Sequence, residues 1–209
     1  PPSKGPYIEA EALYQAMNKA EREVFVMTPY FIPEDFGARF FETLVDRGVR
    51  VRIATNSLAS TNHAYVHGAY ARYRDRLMAA GVEFLEARVD AARVTGAADA
   101  DLTMHTKLII IDDRYLFVGS PNLDPRSIRQ NAEVGMVIDS PQLALSIRER
   151  VEVIARDYAF KLSRDADGKT IWRYEGTERP ELFAAEPSAG LWDVLLSNVA
   201  ALLPIESQL

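Results

Sequence analysis

The chain of 209 residues contains no cysteine, so disulfides and thiolate metal sites play no part in its fold or chemistry. It has no apolar run near the ~18 residues that a membrane span requires. Positive charge is scarce. Five residues are lysine, and 24 Lys+Arg stand against 30 Asp+Glu, giving a net charge of -6 and a pI near 5.2. That balance speaks against a general nucleic-acid binder but leaves room for a local basic pocket. No internal repeat is visible, and no secretory leader. The chain opens Pro-Pro-Ser-Lys-Gly without Met, so it is expected to be a piece of a longer protein. What is present, 48% hydrophobic and 26% charged residues, suits one globular domain over 1–209 with a sizeable core.

The apolar pattern predicts alternating helices and strands. After a linker at 1–6, a helix is expected over 8–21, a strand over 23–27, a helix over 36–47 closed by Gly48, and a strand over 49–55. A long helix follows over 63–80, ended by Gly81, then a strand over 82–86. This alternation is the signature of an α/β fold, with a mixed, largely parallel sheet flanked by helices on both faces. Residues 87–103 are small and polar without periodicity, and read as a flexible loop. Further on, a helix is expected over 141–155, a hairpin from strands at 158–163 and 170–174, and an irregular stretch over 176–187. A helix at 191–203 has apolar residues around most of its circumference and no Lys or Arg. That argues for a packing helix, at a contact with a missing half, more than for a membrane-surface helix.

Between Thr103 and Glu133 lies the stretch that carries chemistry. Thr103 to Asp112 reads as a strand, on which His105 and Lys107 share one face and Asp112 takes the other. Asp112-Asp113-Arg114 reads as a turn into a second strand, Tyr115 to Gly119. Ser120 and Asn122 follow it, and a third strand over 131–139 carries Glu133. His105, Lys107, Ser120, Asn122 and Glu133 are thereby expected to converge above one sheet. A lysine beside an apolar strand is costly to bury without purpose. Such a set suits a phosphodiester: an imidazole for nucleophilic or proton-donating work, Glu133 to orient the ring, Lys107 and Asn122 on the phosphoryl oxygens, and Ser120 as a hydroxyl contact. By parity, Asp112 is expected to be structural, bonding loop backbone or a nearby arginine. These groups supply the charge stabilisation themselves, so neither a metal nor another cofactor is expected.

The spacing H-x-K, four residues, D, six residues, G-S-x-N, met by His105, Lys107, Asp112, Gly119, Ser120 and Asn122, resembles the HKD motif of the phospholipase D superfamily. Glu133 matches the family's downstream acidic partner. Pro121 departs from a freely chosen middle residue by fixing φ before Asn122. On residue grounds alone, Tyr30 and Phe31 between Pro29 and Pro33 suit a pocket lip or a rigid loop on the core equally. The likeness of this segment to the P-Y-F-x-P element of bacterial cardiolipin-synthase-type members implies the lip. His63 and His67 share a helical face at zinc spacing, yet no third ligand is evident, so a polar or solvent role is expected. The likeness of the 55–74 region to the same branch implies that His67 reaches a phosphate or headgroup. Tyr70, Tyr73 and Arg74 are expected to pack. Arg126 is expected in a turn with Asp124, and Arg129 is a candidate headgroup contact by side-chain type.

The resemblance implies the C-terminal half of a two-unit enzyme acting on a phospholipid through a phosphohistidine, peripheral to a bacterial membrane. Only one H-x-K unit occurs, so a second HKD unit must come from elsewhere. Two other readings stand beside it: a homodimeric HKD phosphodiesterase or nuclease, and a non-catalytic partner half.

Overall fold

The computed structural model describes residues 8–176 and 180–203. The expected linker at 1–6 and the closing residues 204–209 lie outside them. In chain order the elements are α1 (Ile8–Asn18), β1 (Glu23–Met27), α2 (Glu34–Asp46), β2 (Arg50–Asn56), α3 (Ala64–Ala80), β3 (Glu83–Ala87) and α4 (Ala91–Val94). Then come β4 (Leu108–Ile111), β5 (Tyr115–Gly119), α5 (Pro125–Arg129), β6 (Gly135–Asp139) and α6 (Pro141–Tyr158). The chain continues through β7 (Ala159–Arg164), β8 (Thr170–Tyr174), β9 (Glu181–Phe183) and α7 (Leu191–Leu202).

The nine strands form one sheet in the order β6-β5-β4-β1-β2-β3-β7-β8-β9. It is mixed, as expected, but its parallel part is small: among the described residues only the β1–β2 and β2–β3 ladders are parallel. The other six ladders are antiparallel. The reason is connectivity: a parallel neighbour needs a crossover helix long enough to return the chain to its starting edge, and α2 and α3 make those crossovers, whereas the five-residue α5 joins β5 to an antiparallel β6.

Alternation divides the strands' apolar residues between two faces. Val24, Val26, Val51, Ile53, Phe84, Ile109 and Ile111 pack with Leu13, Phe41, Leu44 and Leu77 of α1, α2 and α3. Phe25, Leu85, Leu108, Ile110 and Leu116 face α6 through Ala144 and Val151. That second face has one long helix, because α6 must carry the chain from edge strand β6 across to β7. Its 18 residues span about 27 Å, close to the six strand spacings of about 4.8 Å each that it crosses.

Helix ends follow local rules. Gly48 and Gly81 take φ of 84° and 104° after α2 and α3, a left-handed stop that glycine reaches without strain. Ser140 caps α6 by accepting from the Leu143 amide. Two expectations change. Residues 87–103 are not a featureless loop: they fold back through α4, with Ala91 and Ala92 buried and the Leu102 amide donating to Val89 O at 2.8 Å. And α7 is not a buried helix. Ser197 and Ala200 pack against α3, where a Cβ on Gly68 would lie 2.2 Å from Ser197 O, while Leu191, Trp192 and Leu202 stand exposed. Among the described residues no helix is long and apolar enough to cross a membrane.

Candidate active site

The expected strand from Thr103 shrinks to β4, so His105 and Lys107 lie in the irregular segment before it. Their position is nonetheless fixed by side chains. Asn56, buried at the end of β2, accepts from the Met104 amide at 2.9 Å and donates Nδ2 to Met104 O at 3.0 Å. The same Nδ2 reaches Pro29 O at 3.2 Å. One amide therefore ties the histidine segment to the Pro29–Pro33 loop. At the other end, the Gly119 amide reaches Lys107 O, which sets Lys107 across from Gly119 one step beyond the Leu108–Val118 pair.

Lys107 Nζ lies 3.1 Å from His105 Nε2 and donates to His105 O, also at 3.1 Å. Partial burial pulls the lysine below the usual ammonium range, while the negative charges of Glu133 and Asp124 oppose that pull. A charged Lys107 donates to Nε2, which leaves the ring proton on Nδ1. Just after β5 and just before β6, Ser120 and Val134 exchange bonds: the Ser120 amide donates to Val134 O at 2.8 Å and the Val134 amide to Ser120 Oγ at 3.0 Å. This clasp brings Glu133 against Ser120, whose hydroxyl donates to Oε2, while Asn131 Nδ2 donates to Oε1 at 2.9 Å. Glu133 thus holds Ser120 and Asn131, where a bond to the His105 ring was expected; the strand begins only at Gly135, and the residues before it turn toward Ser120.

Gly119 and Gly135 face each other across β5 and β6. An added Cβ would meet the Phe117 ring at 2.9 Å and 2.3 Å respectively. At Gly135 the ring would have to move aside for a side chain, and at Gly119 the backbone of Val134, 2.7 Å from the added Cβ, would have to give as well.

Asn122 bonds the buried carboxylate of Asp124 through its side chain, and its Oδ1 is buried without a partner. Asp124 does not pair with Arg126 in a turn: it caps α5, accepting from the Ser127 amide at 2.7 Å. Burial pushes its pKa up, against the bonds from Ser127 and Asn122. Neither Asp124 nor Asn56 was singled out from the sequence as a site residue. For Asp124 a signal existed, an Asp-Pro-x-Ser cap pattern; for Asn56, one polar residue past the expected strand, none did.

The lip candidates separate. Phe31 is a core residue, 1% exposed, against Phe41, Tyr70 and Phe84. A parallel bridge to Leu123 zips its backbone to the motif's end and turns its ring inward. Tyr30 is half-buried, 6.0 Å from the His63 ring, and burial followed by the charge fields of Tyr65 and Asp124 raises its pKa. Arg129 is bound to Glu34 by a two-pronged ion pair and is not a free cation.

His67 lies apart from this group, buried beneath α7. Its Nδ1 is 3.4 Å from Ser197 Oγ and its Nε2 faces Glu186 at 3.8 Å. Burial drives its pKa down to about 4. Arg74, Glu86, Tyr70 and Trp172 complete a charged core: Glu86 accepts from Tyr70 at 2.9 Å, Arg74 at 3.0 Å and Trp172 at 2.7 Å. His67, Glu86 and Glu186 could in principle surround an ion. The Arg74 guanidinium already bonds both carboxylates and supplies the charge an ion would bring.

Asp112 is at the far end of β4, about 16 Å along the strand from Lys107. Its carboxylate accepts from the amides of Glu21, Arg22 and Glu23 at 2.8–2.9 Å. Asp112 and Asp113 both adopt left-handed φ, 53° and 55°, the tight hairpin geometry that short polar side chains tolerate.

Against known proteins, residues 13–154 match the family model described as cardiolipin synthase, PLD-like domain. Cardiolipin synthase C of Escherichia coli is 32% identical over 94% of this chain and 43% of its own length. The chain therefore spans less than half the length of that relative. Among solved structures, phosphatidylserine synthase from Haemophilus influenzae superposes with a TM-score of 0.59 at 21% identity, covering 74% of this chain and 36% of that one. Nuc from Salmonella typhimurium, a phospholipase D family member, gives 0.57 at 20% identity over 71% and 88%. The two superpositions carry the fold, the family model carries the ancestry, and the chain belongs to the PLD-like domain family of cardiolipin synthases.

Proposed function

We propose that this domain is one half of a phosphatidyl-transferring or phospholipid-hydrolysing site, acting on a glycerophospholipid with a second HKD unit. The observation that carries the reading is the pairing of His105 Nε2 with Lys107 Nζ at 3.1 Å beside Ser120, Asn122 and Glu133. A substrate phosphoryl oxygen entering beside Lys107 draws the ammonium off Nε2 and frees the ring to attack. The P–N bond forms as the bond to the leaving alcohol breaks, and that oxygen takes a proton from the second unit's histidine. An acceptor hydroxyl returns the proton, and its oxygen displaces His105. Lys107 and the Asn122 amide stabilise charge on the non-bridging oxygens. Tyr30, on the loop tied to the same segment, faces the headgroup side. Peripheral contact with a bilayer follows from such a substrate.

The whole protein incubated with mixed phospholipids tests this. Released headgroup or a new two-phosphate lipid is expected, and a phosphohistidine should be trapped by rapid acid quench in the intact enzyme but not in His105→Ala. DNA cleavage with no lipid turnover would sink the lipid reading in favour of the nuclease one.

A further inference from the structure

The face crossed by α6 is covered unevenly. Toward the start of β1 and β2 it is filled by charge: Arg52 lies among Glu23, Glu83 and Glu152, and Arg148 joins Glu23 to Asp113. Toward the carboxyl ends of β1, β2 and β3 the character reverses. A cavity of about 480 Å³ opens between those strand ends, the last turns of α6, and residues 102–106. Met27, Leu85, Leu102, Met104, Val151 and Ile154 give it its apolar character, and no Asp, Glu, Lys, Arg or His lines it. The room exists because, among the described residues, α6 is the one long helix packed on this face and it crosses at a single place.

Its position is informative. Thr103, Met104 and Thr106 form one wall, and His105 sits between the last two. The cavity and the histidine are therefore divided by a single thickness of backbone, which Asn56 holds at Met104. Among the described residues nothing in the lining could neutralise a phosphate or pair with a charged headgroup, whereas an apolar chain laid in it would lose water along its walls. The volume lies within the range of ligand pockets and, at about 27 Å³ per methylene, would hold most of one fatty acyl chain.

We infer that this cavity is the acyl-chain site of the phospholipid, taking one hydrocarbon chain of the molecule whose phosphodiester lies at His105. The inference rests on the lipid reading above, and it adds a specificity element: chain length is sensed through the wall that carries the nucleophile. Filling the cavity should cost long-chain substrates and spare short ones. Ala155, which lines it from α6, is the site for Ala155→Trp, with Ala159→Phe as a second variant should the first disturb the fold.

The experiment uses the whole protein with two phosphatidylglycerols, one with dioleoyl chains and one with dibutanoyl chains that dissolve as monomers. Either folded variant should lose about tenfold or more in kcat/KM on the long-chain lipid and less than twofold on the short-chain one. Equal losses on both, or none on the long-chain lipid, would overturn the acyl-site assignment while leaving the lipid reading intact. A diazirine in the middle of one acyl chain of phosphatidylglycerol supplies a readout independent of turnover. Crosslinks are expected at Met104, Val151 or Ile154 and should disappear in Ala155→Trp. Labelling of the cavity without any lipid turnover would count against the catalytic reading alone, and turnover with crosslinks elsewhere would overturn the cavity alone.

Discussion

His105 and Asp112 belong to one motif but answer to different forces, and substitution should separate them. His105 is exposed and touches Lys107, so His105→Ala should abolish turnover and leave the denaturation midpoint nearly unchanged. Asp112→Ala strips the acceptor from three amides and should cost about 2 kcal/mol in stability by urea melt, lowering activity only as far as folding suffers. An Asp112 variant of full stability and no activity would contradict this. The His67–Glu186 pair adds a pH signature. Burial, reinforced by the charge of Glu86, lifts Glu186 to about 7, against Arg74. With the folded pKa above the unfolded one, its contribution is complete below about pH 4.5 and is lost as pH rises toward 7. His67, held near 4, has the opposite slope between about pH 4 and 6.5, so the two largely cancel there. Above pH 6.5 the fading His67 slope offsets only part of the Glu186 one. Stability by urea melt should therefore fall slightly between pH 6.5 and 7.5 in the wild type, whereas Glu186→Gln should show no fall and a small rise from His67 alone. The HKD residues were legible because their identities recur at fixed spacing. Phe31 was not, since an aromatic between two prolines reads alike whether its ring turns out to solvent or into the core.

At the level of elements, the β5–β6 ladder is where packing and chemistry meet. Phe117 lies over Gly119 and Gly135, and the next step along the ladder is the Ser120–Val134 clasp that seats Glu133. Gly135→Ala should push the ring aside, cost about 2 kcal/mol, and loosen Glu133, so that kcat falls several-fold in protein that remains folded. An unchanged kcat at reduced stability would show that the clasp does not depend on the ring. The long periodic elements were readable: α3 begins one residue after the position its pattern implies, and β1 spans the residues expected. Short ones escaped. α5 is five residues nucleated by a cap, β9 is three residues with no alternation to detect, and the 103–107 segment is placed by Asn56 and not by any propensity of its own.

On the scale of the whole molecule, the site is open on one side. Val134, Met136 and Val137 stand exposed on and beside edge strand β6, next to Glu133, where a second unit would complete the constellation. Residues 1–209 expressed alone should be inactive as monomers, and any activity should follow the dimer peak in sedimentation. A strictly monomeric, fully active chain would remove the need for a second histidine. Activity of the intact protein should also survive exhaustive chelation if, as proposed, Lys107 and Asn122 supply the charge stabilisation; a loss restored only by divalent ion would refute that. The Asn56 amide has one more consequence. Because the same side chain grips Pro29 O and both polar groups of Met104, the Pro29–Pro33 loop and the segment carrying His105 behave as one jaw of preset gape. On the proposed lipid reading, the substrate must then fit an aperture that already exists, and rate should respond to membrane curvature and packing, which govern how far a lipid can rise toward it, more than to any closing motion of the protein.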